Sequence, residues 1–223
     1  MEKYDNDFYE KWLPLVQSSA RVIVPVIIDL VHPRSVIDVG CGIGGWLEEF
    51  LRQGITDVLG MDGEWVDPAL LRIPKQKFRA ADLSNLGEPS RRYDLALCLE
   101  VAEHLDDAAG RKLVTFLAGS AEFVAFSAAV PGQGGPGHIN EQWLDYWIEA
   151  FAEHDYRIFD PIRTLVWDDR SVAPWYAQNL VFFTGRKSDD AAVQQLAEGH
   201  SKNAIPVRAV HPVVARWGLG RQG

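Results

Sequence analysis

The sequence predicts an α/β fold: a seven-stranded, mostly parallel sheet with helices on both faces and its last strand antiparallel. Three observations predict it. Short β-branched or apolar runs alternate with helical stretches from residue 35 onward, the pattern of crossover units around a parallel sheet. With 223 residues the chain is long enough for one well-cored domain and a tail. Apolar residues make up 47% of it and include eight tryptophans, which excludes disorder for most of its length.

The elements follow in order. Residues 6–31 read as two helical pieces, opened by a capping-type Asn6 and interrupted at Pro14 and Pro25. "SVIDV" (35–39) is the first strand, and "GGWLEEFLRQG" (44–54) a helix closed by Gly54. "DVLGMD" (57–62), "FRAADL" (78–83) and "YDLALCL" (93–99) are strands two to four. A helix is expected over 106–121, the fifth strand over 122–128, and a helix over 140–154, capped by Asn140. "YRIFD" (156–160) and "AQNLVFFT" (177–184) complete the sheet; with no clear crossover helix between them, they are expected to pair antiparallel. Beyond 187 the character changes. Residues 188–200 could form a short helix, and "IPVRAVHPVVARW" is expected to be extended by its prolines, either as a docking arm for this or a partner subunit or as a disordered end. The organisation is therefore an amino-terminal helical cap (1–33), a central domain (34–187) and a tail (188–223).

Bulk properties exclude several classes. A net charge of −9 argues against a non-specific nucleic-acid binder, which needs a basic stripe. Two cysteines, Cys41 and Cys98, supply neither a disulfide framework nor a metal cluster, and are read as packed thiols. Nor does the sequence support a metal site elsewhere. No uninterrupted 18-residue apolar run and no cleavable leader are read, so a cytoplasmic protein without a membrane partner is expected.

The chemistry starts at "VIDVGCGIGGW". Asp38 ends strand one, and Gly40, Gly42, Gly44 and Gly45 lead into a helix, where bare backbone lets a ligand approach closely. The spacing Gly40-x-Gly42-x-x-Gly45 also satisfies a dinucleotide fingerprint. Acids separate the two readings. Asp38 stands where a dehydrogenase usually has an apolar residue or glycine, and can meet a cationic amino group. Asp62 and Gly63 end strand two, about 20 residues on, where a carboxylate pairs with ribose hydroxyls. Asp82 and Leu83 end strand three, where an acid can accept from an adenine amine while Leu83 covers the ring. A row of acids along the carboxyl edge avoids polyphosphate and suits a cationic nucleoside, S-adenosylmethionine.

These motifs, with "YDLALCLEVAEHL", resemble those of class I S-adenosylmethionine-dependent methyltransferases, which have a Rossmann-like fold. The resemblance covers about residues 34–185. It implies that Gly40, Cys41 and Gly42 line the methionine moiety, Asp62 and Gly63 the ribose, Asp82 and Leu83 the adenine, and Leu99 and Glu100 the sulfonium side. The second half resembles a bacterial subgroup often found beside glycosyltransferases, which suggests a sugar or other hydroxylated small molecule as acceptor.

A hydroxyl acceptor must lose a proton, and a general base contributes about 10²–10⁴-fold. His138, beyond the Gly/Pro-rich "PGQGGPG" (131–137), which is read as a flexible lid over the site, is the first candidate. His104 in "EVAEHL" is the second, with a structural role the stronger reading, and Glu141 is a third candidate on the lid. The rivals are N- or carboxyl methylation, where no histidine base is required, and a non-catalytic S-adenosylmethionine-binding subunit. Tyr4, Phe8, Tyr9 and Trp12 are expected to cover the site from the amino end, and the tail is a candidate oligomer contact.

Overall fold

The computed structural model describes residues 6–185 and 206–219. Seven strands form one sheet: β1 Ser35–Val39, β2 Asp57–Asp62, β3 Phe78–Ala80, β4 Tyr93–Leu99, β5 Ala121–Ser127, β6 Tyr156–Phe159 and β7 Val181–Gly185. Their spatial order is β3-β2-β1-β4-β5-β7-β6, and only β7 runs antiparallel to its neighbours. Order reverses between β1 and β4, so their carboxyl ends frame the crevice where open sheets of this kind bind ligands.

Side-chain alternation builds a core on each face. Ile37, Val39, Ala96, Cys98 and Phe126 point to the layer of α3 (Asp107–Ser120) and α4 (Leu144–Ala152), where Trp147, Phe151 and Phe183 pack. Val36, Leu95, Leu97 and Phe182 point to the opposite layer of α1 (Asn6–Val31), α2 (Gly45–Arg52), α5 (Arg163–Val166) and α6 (Pro174–Asn179).

Four elements differ from the sequence expectation, each for a physical reason. Helix α1 is continuous through Pro14 and Pro25. An interior proline costs about 3 kcal/mol, but burying Ile23, Val24 and Ile27 completely returns about 1.5–3 kcal/mol each. By length and composition the Phe8–Val31 segment is apolar enough to cross a membrane; here the Ala20–Ile27 face is core. Helix α4 begins at Leu144, not 141, with Trp143 at its N-cap and no side-chain cap. Asn140 does not cap it. The amides of Ile139 and Asn140 donate to the Glu103 carbonyl and that of Gln142 to the Ala129 carbonyl, which holds 139–142 extended. Residues 177–179 end helix α6 rather than open a strand, because Pro174 at its first turn favours a helix start. Strand β3 stops at Ala80, and Asp82 caps a 3₁₀ turn over Leu83–Asn85.

The described part of the tail lies against its own chain. Pro212–Leu219 form helix α7, not an extended arm, since Pro212 is a favourable first helical residue. Val214 is buried, Trp217 stands 6.0 Å from Trp175 ring to ring, and Arg208 pairs with Asp145. The helix expected over 188–200 lies outside the described residues, as does Tyr4.

Candidate active site

Strand β1 delivers Asp38 and then Gly40, whose φ is +86°. A Cβ there would lie 2.2 Å from the Val101 side chain, so only glycine lets the loop turn this close to the start of the β4 exit. Gly40 and Cys41 donate their amides to the Met61 carbonyl. Asp62 accepts from the amides of Gly42 (2.6 Å) and Gly63 (2.7 Å). The candidate ribose acid therefore also pins the glycine loop to β2, a role no sequence signal pointed to. The ring of Tyr9, from α1, would stand 3.1 Å from a Cβ on Gly42, and Trp12 packs edge-on against Trp175.

Around this loop, buried acids accumulate. Asp38 is 1% exposed, its Oδ2 has no hydrogen bond, and burial followed by repulsion from Asp62 pushes its pKa up to about 8. Burial likewise raises Asp62, against the pull of the Gly63 and Gly42 amides. Glu100 sits at φ +57°, an uncommon backbone for a residue with a side chain. Its carboxylate accepts from Gln133 (2.8 Å) and Asn179 (3.1 Å), and burial raises its pKa to about 6. Glu103 is fully buried and raised well above the usual carboxylate range by burial and by Glu100. The amides of Glu103 and Ala129 lie near enough to favour its charge, but neither carboxyl oxygen has a hydrogen bond of ordinary geometry. Among the described residues no lysine or arginine is among the groups that offset ionisation of these four acids. Uncompensated buried carboxyls are costly. The arrangement suits a cationic ligand.

Opposite Glu100 lies the Gly/Pro-rich loop, and it is not loose. Glu141 accepts from the amides of Gly132 (2.8 Å) and Gly134 (2.7 Å) and bonds His138 Nδ1 (2.8 Å). A Cβ on Gly135 would meet His138 Nε2 at 2.2 Å, so the loop backbone passes directly over that ring. The rings of His104 and His138 meet edge to face at 4.9 Å, and Glu103, His104 and His138 offer ligand atoms all within 4.8 Å of one another. That is a geometry in which a metal ion could be held, although the sequence alone supported none.

The candidate residues fall into two groups. Asp38, Gly40, Cys41, Gly42, Asp62 and Gly63 gather at the β1 and β2 ends; Leu99, Glu100, His104, His138 and Glu141 gather at the β4 and β5 ends. Asp82 and Leu83 follow the edge strand β3 beside the β2 end, where the Ala81 amide donates to the Asp62 carbonyl. Asp82 is exposed and its Oδ1 bonds the amide and hydroxyl of Ser84, whereas Leu83 is buried. Cys41 and Cys98 are buried free thiols. Sequence reasoning missed Gln133, Gln178 and Asn179, an amide chain around Glu100, and Trp65, a half-exposed indole that covers Gly63. An aromatic three residues past the strand-two acid was the one available signal.

Residues 17–167, more than half of the chain, match the methyltransferase-domain family. The chain belongs to this family, that of the class I S-adenosylmethionine-dependent methyltransferases. Curated relatives include the ubiquinone biosynthesis O-methyltransferases of Rhodopseudomonas palustris, 26% identical over 60% of this chain, and Bordetella avium, 36% identical over 33%. The matches span half and a third of those proteins' length. Among solved structures, the sugar N-methyltransferase KedS8 from Streptoalloteichus is similar with a TM-score of 0.63 at 14% identity, over 84% of this chain and 95% of that one. The methyltransferase domain of a bacterial Hen1 protein, CtHen1, gives 0.56 at 20% identity, over 76% and 98%. These two likenesses establish the methyltransferase fold. A third structure of this fold, the glycopeptide N-methyltransferase MtfA, holds sinefungin, an analogue of S-adenosylmethionine.

Proposed function

We propose that this methyltransferase acts on a hydroxyl oxygen of a small molecule, a saccharide or natural product. The carrying observation is the cluster on the acceptor side: His138 bonded through Nδ1 to Glu141 at 2.8 Å, with His104 and Glu103 beside it. A hydroxyl needs such a group and an amine that arrives neutral does not. The names of the curated relatives, O-methyltransferases, support oxygen as the methylated atom.

Bound S-adenosylmethionine supplies an electrophilic methyl group for an in-line displacement, so alignment accounts for much of the rate. Asp38 meets the amino group of its methionine moiety, Asp62 the ribose, and Glu100 lies on the sulfonium side. His138 takes the hydroxyl proton on Nε2 while Glu141 holds the ring through Nδ1 and stabilises the imidazolium formed. Because the backbone at Gly135 covers Nε2, the loop opens for the acceptor and closes over the reaction.

The test is a panel of free sugars, nucleotide sugars and phenols, read by release of S-adenosylhomocysteine. On the acceptor found, His138→Ala should lower turnover about 10²–10⁴-fold and leave cofactor affinity nearly unchanged. Turnover confined to amines, or untouched by His138→Ala, would remove the hydroxyl assignment.

A further inference from the structure

We propose that Glu103, His104 and His138 form a binding site for a divalent first-row transition-metal ion, placed between the sulfonium side and the Gly/Pro loop. The inference rests on the hydroxyl reading and deepens it: with an ion bound, the ion activates the hydroxyl, and His138 Nε2 ligates the ion in place of taking the proton itself.

Geometry comes first. The three side chains offer ligand atoms within 4.8 Å of one another, so a small inward shift of the side chains lets one ion touch all three. They come from two segments, a 3₁₀ turn after β4 and the exit of the loop after β5. Those segments are stapled together by the Ile139 and Asn140 amides on the Glu103 carbonyl. The two segments that carry the donors are joined before any ion arrives.

The second observation is Glu103 itself. It is fully buried, with 0% of its surface accessible, and both carboxyl oxygens lack a hydrogen bond of ordinary geometry. A buried carboxylate in that condition costs several kcal/mol unless a cation meets it. No lysine or arginine does so among the described residues, and Glu100 and Glu141 add negative charge nearby. A divalent ion would offset that charge.

The chemistry of the donors selects the ion. Two imidazoles and one carboxylate, leaving positions open, suit manganese, iron, cobalt, nickel or zinc better than calcium. His138 Nδ1 is committed to Glu141, so Nε2 is the nitrogen left to ligate once the loop backbone at Gly135 moves off it, and the carboxylate behind it is the usual outer partner of a metal-bound histidine. The open positions take the acceptor's hydroxyl oxygen. The ion lowers its pKa as it lowers that of bound water. Its proton then leaves to solvent, a lone pair forms the O–CH₃ bond, and the S–CH₃ bond breaks with its electron pair left on sulfur.

The binding test needs no acceptor. The full chain, freed of metal by chelator and dialysis, is titrated with Co²⁺ and Mn²⁺ by calorimetry, and Co²⁺ is followed by visible absorption. About one equivalent should bind, Co²⁺ should show bands of a nitrogen-ligated ion, and the melting temperature should rise with it. Glu103→Gln, which keeps shape and removes the buried charge, and His138→Ala, on the loop, should each weaken binding at least about 10-fold. Folded protein that binds neither ion, or variants that bind as wild type, would overturn the site. Metal-free enzyme that keeps full turnover while His138→Ala loses it would also overturn the ion, and would leave His138 standing as the base.

Discussion

At Asp38 burial and function pull in opposite directions. Its carboxyl is held near a pKa of about 8 by burial and by Asp62, against 3.8 in the unfolded chain. The fold thus favours the protonated form, and this contribution to stability is present below about pH 4 and is lost as pH rises through about 8. The cofactor's ammonium favours the ionised form instead. Cofactor-free protein should therefore lose melting temperature between about pH 5 and 8, and Asp38→Asn should flatten that slope. S-adenosylmethionine should bind wild type more tightly as pH rises across the same window, and the variant should not follow; calorimetry at three pH values decides it. Asp62 carries two tasks, so Asp62→Ala should lower the melting temperature as well as weaken S-adenosylmethionine, by about 1.5–3 kcal/mol or roughly 10- to 150-fold. Full affinity in that variant would remove Asp62 from the site. The positions of these acids were legible because each ends a strand, and strand ends were easy to read. Their partners were not, since Gln133 and Asn179 reach Glu100 from 33 and 79 residues away in sequence.

Among the elements, the segment from β5 to α4 departs furthest from its sequence reading. Glycine and proline at 131–137 suggested mobility, yet Glu141 gathers the amides of Gly132 and Gly134 and the His138 ring into one clip. Periodicity over 140–154 hid this, because Glu141 fits a first helical turn as well as it fits a clip. Only the long-range bonds to Glu103 and Ala129 decide between them. Glu141→Ala should speed hydrogen exchange at Gly132 and Gly134 without altering exchange in the strands, and unchanged exchange would mean that the loop is held by other contacts. Gly135→Ala should push the His138 ring aside, changing turnover and acceptor KM together while leaving cofactor affinity alone. Strands β1, β2 and β4 matched their expected limits because buried parallel strands are short apolar runs with few alternatives. Helix α1 did not, since its prolines are overruled by packing that no local pattern reveals.

Across the whole molecule, one buried chain of amides joins the tail to the candidate site. The His211 amide donates to Gln178 Oε1 (2.8 Å); Gln178 Nε2 donates to Asn179 Oδ1 (2.8 Å) and Gln133 Oε1 (3.2 Å). Asn179 and Gln133 then donate to the two oxygens of Glu100. Each side-chain amide faces a partner of the opposite kind, so reversing one leaves like facing like. Buried networks of this type are stable only when every member is satisfied, and removing one partner costs about 1–3 kcal/mol. Docking of the tail therefore fixes which way Gln178 faces, and through it the setting of Glu100 beside the sulfonium. Gln178→Leu, in the full chain, keeps bulk but strands the His211 amide and the Asn179 carbonyl oxygen. It should lower the melting temperature, raise protease sensitivity within 206–219, and weaken S-adenosylmethionine several-fold through Glu100. Truncation after Lys187 should reproduce the cofactor effect, since it removes the same anchor. A Gln178→Leu protein that loses stability but binds S-adenosylmethionine as wild type would show that the tail braces the fold without reaching the site.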